Sequence, residues 1–176
     1  VKVTCEVTPH HLLLTEEACL NFDTNTKMKP PLRTEKDRQA CVKALKEGII
    51  DCIATDHAPH ADFEKTREFD HAPFGIIGLE TAFPVLYHYL VKPGYISLER
   101  LIEALTSAPV RVLNLPENTL KAGNPADITI IDLDAETTFT PESILSKSKN
   151  SPWMNQTVSS KVLYTFLEGR QTWKAE

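Results

Sequence analysis

The sequence predicts an α/β protein in which a parallel strand–helix–strand unit is followed by a β-rich tail. Residues 2–7 and 49–55 are strand-like runs separated by a well-punctuated helical stretch, the order from which parallel sheets are built. The second run is apolar without alternation, as in a strand buried on both faces. Beyond about Leu120 helical periodicity gives way to strand-length runs and a hairpin signal.

Taken in order, residues 2–7 alternate and close at Thr8-Pro9. Residues 12–19 suit a short helix capped by Thr15, with Glu16 and Glu17 in its first turn. Asn, Asp, Thr and the Pro30-Pro31 pair make residues 21–33 a loop. Thr34 then caps a helix carrying Cys41, Val42, Leu45 and Ile49 at helical spacing, with Gly48 as its stop. After the strand at 49–55, residues 57–75 hold too many charges, histidines and prolines for a regular element. Helical spacing resumes over 79–91, with Pro84 in the first turn or at a kink. Ser97 caps 98–106, and 109–113 adds a short helical piece. Strands are expected at 127–133 and 136–140, and a hairpin at 161–167 and 171–174 about Glu168-Gly169.

Bulk properties narrow the functional classes. Of 176 residues, 41% are hydrophobic and 24% charged, as in an ordinary soluble domain. The formal net charge of −5 leaves no basic excess and argues against nucleic acid as a partner. No apolar stretch approaches the roughly 20 residues that cross a bilayer, so no membrane association is expected. The four cysteines form no C-x-x-C pair and sit in strand-like or helical runs. They read as small buried hydrophobes of a reducing cytoplasm.

Chemistry concentrates where the buried strand ends. In Ile49–His60, read I-I-D-C-I-A-T-D-H-A-P-H, Asp56, His57 and His60 fall at the carboxyl end of a parallel strand. Active sites of barrels and doubly wound sheets are built at that end. A carboxylate there suits acid–base or metal-assisted chemistry, and Asp56 is the leading candidate. His57 reads as a structural group fixing the Asp56 loop. The adjacent pair His10-His11 would point to opposite faces of a strand, so the two do not share one ion and read as structural.

The ordered landmarks Cys5-Glu6-Val7-Thr8-Pro9-His10-His11, Pro30-Pro31-Leu32-Arg33, Ala54-Thr55-Asp56-His57-Ala58-Pro59-His60, Phe63-Glu64-Lys65, Pro73-Phe74-Gly75-Ile76-Ile77-Gly78-Leu79-Glu80-Thr81 and Asn124-Pro125-Ala126-Asp127 run the length of the chain. In these the sequence resembles the dihydroorotase family, in its long bacterial form, of the amidohydrolase superfamily. The resemblance implies a metal-dependent-hydrolase TIM (β/α)₈ barrel with a small β-sandwich. Residues 1–119 would be the C-terminal part of the barrel, strands seven and eight with their helices, and 120–176 the C-terminal part of the sandwich. Two strand–helix units do not close an eight-stranded barrel, and the chain opens without methionine. It is therefore expected to be a piece of a larger enzyme, inactive alone, whose exposed edges are covered by further chain or by a second copy.

The implied activity is zinc-dependent, reversible hydrolysis of the cyclic amide of L-dihydroorotate to N-carbamoyl-L-aspartate, in cytoplasmic pyrimidine synthesis. By the same resemblance Asp56 is both catalytic and metal-ligating at a binuclear zinc centre whose other ligands lie outside these residues. His60 meets the substrate carboxylate, and main-chain groups of Phe74 and Gly75 contact the ring. The family's asparagine before Pro-Pro-Leu-Arg is Lys29 here, which either holds a substrate oxygen or points to solvent. Another departure is Trp153-Met154-Asn155, where the family pattern often has a glycine. A homo-oligomer is the implied assembly, with aspartate carbamoyltransferase as a further partner. The alternative is a non-catalytic relative retained as a structural partner of that transferase. The Ala58-Pro59-His60 sequence separates the chain from hydantoinases and allantoinases.

Overall fold

The order strand, helix, strand begins with a very short parallel pair. In the computed structural model, which describes residues 1–175, β1 (Glu6–Val7) pairs in parallel with β2 (Cys52–Ile53), Glu6 opposite Cys52 and Val7 opposite Ile53. Main-chain bonds from Asp51 N to Cys5 O and from Ala54 N to Val7 O extend the ladder by a residue at each end. Both strands are shorter than the expected 2–7 and 49–55. The pairing stops where Thr8-Pro9 turns the chain into a helix, because proline has no N–H to offer a ladder. Residues 1–4 are exposed.

That helix, α1 (Pro9–Leu13), corrects the expected 12–19. Thr8 accepts from the His11 N–H and Pro9 occupies the first turn, a stronger start signal than Thr15. Thr15 makes no side-chain capping bond, and Glu16–Cys19 form a single 3₁₀ turn. The next helix is as expected: α2 (Glu35–Lys46) carries a reciprocal capping box between Thr34 and Asp37. It ends at Gly48, whose φ of 74° falls in the left-handed region. One helical turn, α3 (Asp62–Lys65), interrupts the expected 57–75 loop. Then α4 (Ala82–Leu86), with Pro84 in its first turn, runs into a π-helical turn over Tyr87–Val91. Ser97 caps α5 (Leu98–Leu105) through the Arg100 N–H, and α6 (Ser107–Val112) follows.

The tail is one antiparallel sheet in the order β3 (Ile128–Thr138), β4 (Thr157–Leu167), β5 (Arg170–Lys174). The expected strands at 127–133 and 136–140 are one strand with a bulge. There the Asp132 carboxylate accepts from Asp134 N and Ala135 N, and the register slips between Asp132 and Glu136. Glu168 and Gly169 both take positive φ, the two-residue turn that matches strand twist. Glu176, the last residue of the expected 120–176 segment, lies outside the described residues.

One core cluster joins these parts, and a smaller one gathers Met28, Leu32 and Ile76. Leu12, Leu45, Val85, Leu86 and Leu101 are fully buried and cluster with Phe139, Ile144, Trp153 and Val158 of the tail. Truncating one such leucine to alanine typically costs 2–5 kcal/mol. Arg100 stitches the amino end of β2 to α2, donating to the carbonyls of Leu45, Ile50 and Asp51. His88 of the π turn accepts from Ser159 N, and Lys92 Nζ donates to Ser159 Oγ at 2.7 Å, fastening β4 to the helical layer. All four cysteines are free. Cys52 is buried as expected, but Cys5 is exposed because it precedes the short ladder.

His10 and His11 divide their roles by burial. His11 Nε2 faces the Pro30 carbonyl at 3.0 Å and its Nδ1 lies 2.6 Å from Thr8 Oγ1, so it ties α1 to the proline loop. His10 is buried with its Nε2 unpartnered. Burial, and secondarily the neighbouring His11, holds its pKa down to about 3 against an ordinary 6.5. Between those values the unfolded chain binds a proton that the native state refuses, so stability falls as pH drops from 6.5 towards 3. The slope for one group reaches about 1.4 kcal/mol per pH unit. We expect His10→Leu to flatten this acid slope, read as urea-unfolding free energies at pH 7, 5 and 4. An unchanged slope would assign the acid sensitivity to other groups.

Candidate functional site

The short ladder delivers Asp56 to the surface just beyond the last paired residues. Asp56 is exposed, takes φ 50°, and its carboxylate has no hydrogen bond or ion pair among the described residues. A non-glycine residue in the left-handed region costs free energy unless its surroundings hold it there, and such positions gather at functional sites. What holds it is the next residue. His57 forms an isolated parallel bridge with Ile76, its Nδ1 accepts from Gly78 N at 3.0 Å, and Ala58 N donates to Ile76 O at 2.7 Å. With Nδ1 accepting, the neutral ring carries its hydrogen on Nε2. Gly78 permits this closeness, since a Cβ there would stand 2.9 Å from Thr55 O.

His60, Phe74 and Gly75 are brought together. His60 Nε2 donates to the Phe74 carbonyl at 2.9 Å, and its Nδ1 lies 3.8 Å from Glu64 Oε2. Gly75 has φ 104°, and a Cβ there would fall 2.6 Å from Ala58 Cβ. Its main-chain groups are engaged: the N–H donates to Lys27 O, and the carbonyl accepts from Lys65 Nζ at 3.1 Å and Asn150 Nδ2 at 3.2 Å. Phe74 is about half exposed. Lys29 is exposed, and its ammonium sits 5.7 Å from the centre of the Phe74 ring, a cation–π contact that brings it to the same patch.

Two buried lysines support this patch from below. Lys65 Nζ donates to the carbonyls of Thr24, Pro73 and Gly75, using all three ammonium hydrogens. Its pKa is pushed down to about 8, chiefly by burial, with nearby Asp23 opposing and Lys27 adding to the shift. Lys27 Nζ donates to the carbonyls of Asp70 and Ala72 and stands 4.6 Å over the Phe74 ring. Lys65 enters the sequence reading only within the Phe63-Glu64-Lys65 landmark and Lys27 not at all, because a buried lysine reads like a solvated one until its cage is seen. Asn150 is another residue that sequence reading passes over, lying in a polar run that looks like plain loop. Glu80 anchors the same run, accepting from Leu145 N and Ser146 N. Asn155 takes φ 62°, so the residue standing near the expected glycine adopts a backbone that glycine favours and asparagine tolerates.

Metal-competent side chains converge elsewhere. Among the described residues the group whose ligand atoms come together is Glu68, Asp70 and His71, all exposed. Around Asp56 the chain offers a single carboxylate, whereas a zinc site takes three or four protein ligands. These residues therefore fit one corner of a metal site and not a whole one. Two surface clefts, one along Glu35, Arg38, Val42 and Tyr95 and one along Lys46, Asp51 and Arg100, include none of the site residues.

An unpaired carboxylate beyond a parallel strand, backed by a loop with a histidine and a constrained glycine, is an arrangement suited to hydrolytic chemistry. Residues 5–172 match the model of the amidohydrolase family, and the chain belongs to that family. It is 49% identical over its whole length to the dihydroorotase of Shouchella clausii and 51% identical over 96% of its length to that of Elusimicrobium minutum. It spans about two-fifths of the length of these curated relatives, 41% and 39%. Among solved structures, the L-hydantoinase (dihydropyrimidinase) of Arthrobacter aurescens superposes with a TM-score of 0.90 at 29% identity, covering 98% of this chain and 39% of that one. The dihydropyrimidinase of Brevibacillus agri gives 0.88 at 23% identity with the same coverage, a likeness of fold. Among the described residues no helix is long and apolar enough to cross a membrane.

Gly75 gives a direct test of the loop geometry. Gly75→Ala places a methyl against Ala58 Cβ, which has no flexible end to move, at a φ that L-residues avoid. We expect a loss of about 1–3 kcal/mol in unfolding free energy. Gly94→Ala, also at positive φ but with open space around it, isolates the backbone part of that cost. Equal losses for the two would mean that the Ala58 contact is not tight.

Proposed function

We propose that this chain is the C-terminal part of a cytoplasmic, zinc-dependent dihydroorotase, with residues 1–119 forming barrel strands seven and eight and 120–176 part of a β-sandwich. The observation that carries the reading is the exposed, unpaired Asp56 carboxylate, held at φ 50° just past the carboxyl end of a parallel strand. Identity near 50% to proteins named dihydroorotase supports this substrate over hydantoins, as does the Ala58-Pro59-His60 sequence.

Hydrolysis of a cyclic amide needs a base for the attacking water and an acid for the departing nitrogen. Asp56 can do both in turn, because an unpaired carboxylate is free to take the water's proton and then deliver it to the ring nitrogen. When bound, zinc supplies Lewis acidity and a lowered pKa for water. Asp56 would give it one ligand, and the others must come from outside the described residues. His60 orients the substrate. Its Nε2–H is committed to the Phe74 carbonyl, so Nδ1 is the ring atom left for a substrate contact. Lys29 and Phe74 border the same approach, the ammonium supplying positive charge for an anionic substrate.

In the full-length protein, Asp56→Ala should lower kcat for dihydroorotate by more than the 10²–10⁴-fold typical of losing a proton-transfer group, with the circular dichroism spectrum unchanged. His60→Ala should act mainly on KM. Asp56→Ala retaining more than a few per cent of turnover would remove Asp56 from the chemistry. Faster hydrolysis of hydantoin than of dihydroorotate would transfer the assignment to the hydantoinases.

The isolated 176-residue chain should hydrolyse no dihydroorotate when zinc is added, because one carboxylate does not hold the ion. Turnover comparable to that of the full-length protein would show that the chain is self-sufficient.

A further inference from the structure

Asn150 lies in the tail, far along the chain from Asp56, and is buried at 5% exposure. Its side-chain amide is fully used. Oδ1 accepts from His60 N at 3.1 Å, and Nδ2 donates to Ala58 O at 2.9 Å and to Gly75 O at 3.2 Å. Its own carbonyl accepts from Ile77 N at 3.0 Å. The partners settle which end of the amide is which, since a main-chain N–H needs an oxygen and two carbonyls need a nitrogen. One residue thus grips both loops of the candidate site, 58–60 on one side and 75–77 on the other. We propose that Asn150 is a positioning residue for substrate binding, locking the His60 loop to the Phe74-Gly75 loop so that both present one surface to the substrate.

The two loops also meet through His60 Nε2 and Phe74 O, and through Ala58 N and Ile76 O. Neither contact satisfies the Ala58 and Gly75 carbonyls, which point into the space that Asn150 fills. Lys65 reaches the Gly75 carbonyl, but its other two donors go to Thr24 and Pro73, so its ammonium ties the Phe74 loop to the Thr24 turn and meets no carbonyl of residues 58–60. Asp56, in contrast, is held by β2 and by the His57–Gly78 contact, which do not involve Asn150. Losing Asn150 should therefore disturb substrate placement more than the proton-transfer group. This inference depends on His60 and Phe74 forming the substrate-binding edge under the dihydroorotase reading.

The test uses the full-length zinc-loaded protein and three variants: Asn150→Ala, His60→Ala, and Val158→Ala as a control that weakens the tail core at a residue outside both loops. Amide hydrogen exchange reports the clamp without reference to activity. Asn150→Ala should accelerate exchange in 58–60 and 75–77 by tenfold or more relative to Val158→Ala, with α2 unaffected. Steady-state kinetics with dihydroorotate should then show KM raised about tenfold or more with kcat within about threefold, since misplacement of about an ångström can cost up to a hundredfold. Unchanged exchange in both loops overturns the clamp. Faster exchange with an unmoved KM, while His60→Ala raises KM, overturns the positioning role. If neither His60→Ala nor Asn150→Ala moves KM, the substrate-edge reading fails and the positioning role falls with it. Should Asn150→Ala not fold, Asn150→Asp, which keeps the acceptor for His60 N and loses both donors, is measured against the same outcomes.

Discussion

Irregular backbone packed inside a protein must still find partners for its N–H and C=O groups, and the candidate site is organised by that requirement. Residues 57–80 cross between β2 and α4 with one helical turn and one isolated bridge, so sheet and helix satisfy little of their main chain. Polar side chains do it instead. Lys65 takes three carbonyls, Lys27 two and Asn150 two more, and Asn150 Oδ1 and His57 Nδ1 receive N–H groups. Each of these groups is costly to bury unpaired, and each is paired. Lys65 and Asn150 have every donor they carry engaged on main-chain carbonyls.

The depressed pKa of Lys65 follows from the same arrangement. Three carbonyl dipoles replace water around the ammonium and Lys27 adds repulsion, so the nearby Asp23 offsets burial only in part. His10 shows the neutral limit, a ring with one buried nitrogen unpartnered and its pKa pressed far down. Polar burial of this kind concentrates around the carboxyl ends of β1 and β2, while the opposite end of β2 is closed by the single guanidinium of Arg100. Asp56 is left unpaired there: Lys65, Asn150 and His57 Nδ1 bond main-chain groups, and none of them meets its carboxylate.

Much of the local order was legible along the chain. Thr34 with Asp37, Gly48, Ser97 and the Glu168-Gly169 turn act through neighbours within a few residues, so their sequence signals survive folding. Competing local signals misled where two starts lay close together. Thr8-Pro9 outranks Thr15 because the proline ring fixes φ for a first turn and forfeits no helical bond. Strand lengths were overread for a tertiary reason: a ladder is as long as its shorter partner, and β1 ends at that same proline. The bulge that fuses two expected strands into β3 hangs on the Asp132 side chain folding back on its own backbone.

By itself the sequence determined the placement of Asp56 and His60 beyond a buried strand and the resemblance that gave them roles, since both depend on residue identity and spacing. Tertiary structure alone decided which distant groups hold that site. Asn150 meets Ala58 and Gly75 across 92 and 75 residues of chain, and Lys65 meets Thr24 across 41. Those contacts are selected by unpaired carbonyls that exist only once the backbone has folded, and a polar residue in a loop carries no mark of which carbonyl it will meet.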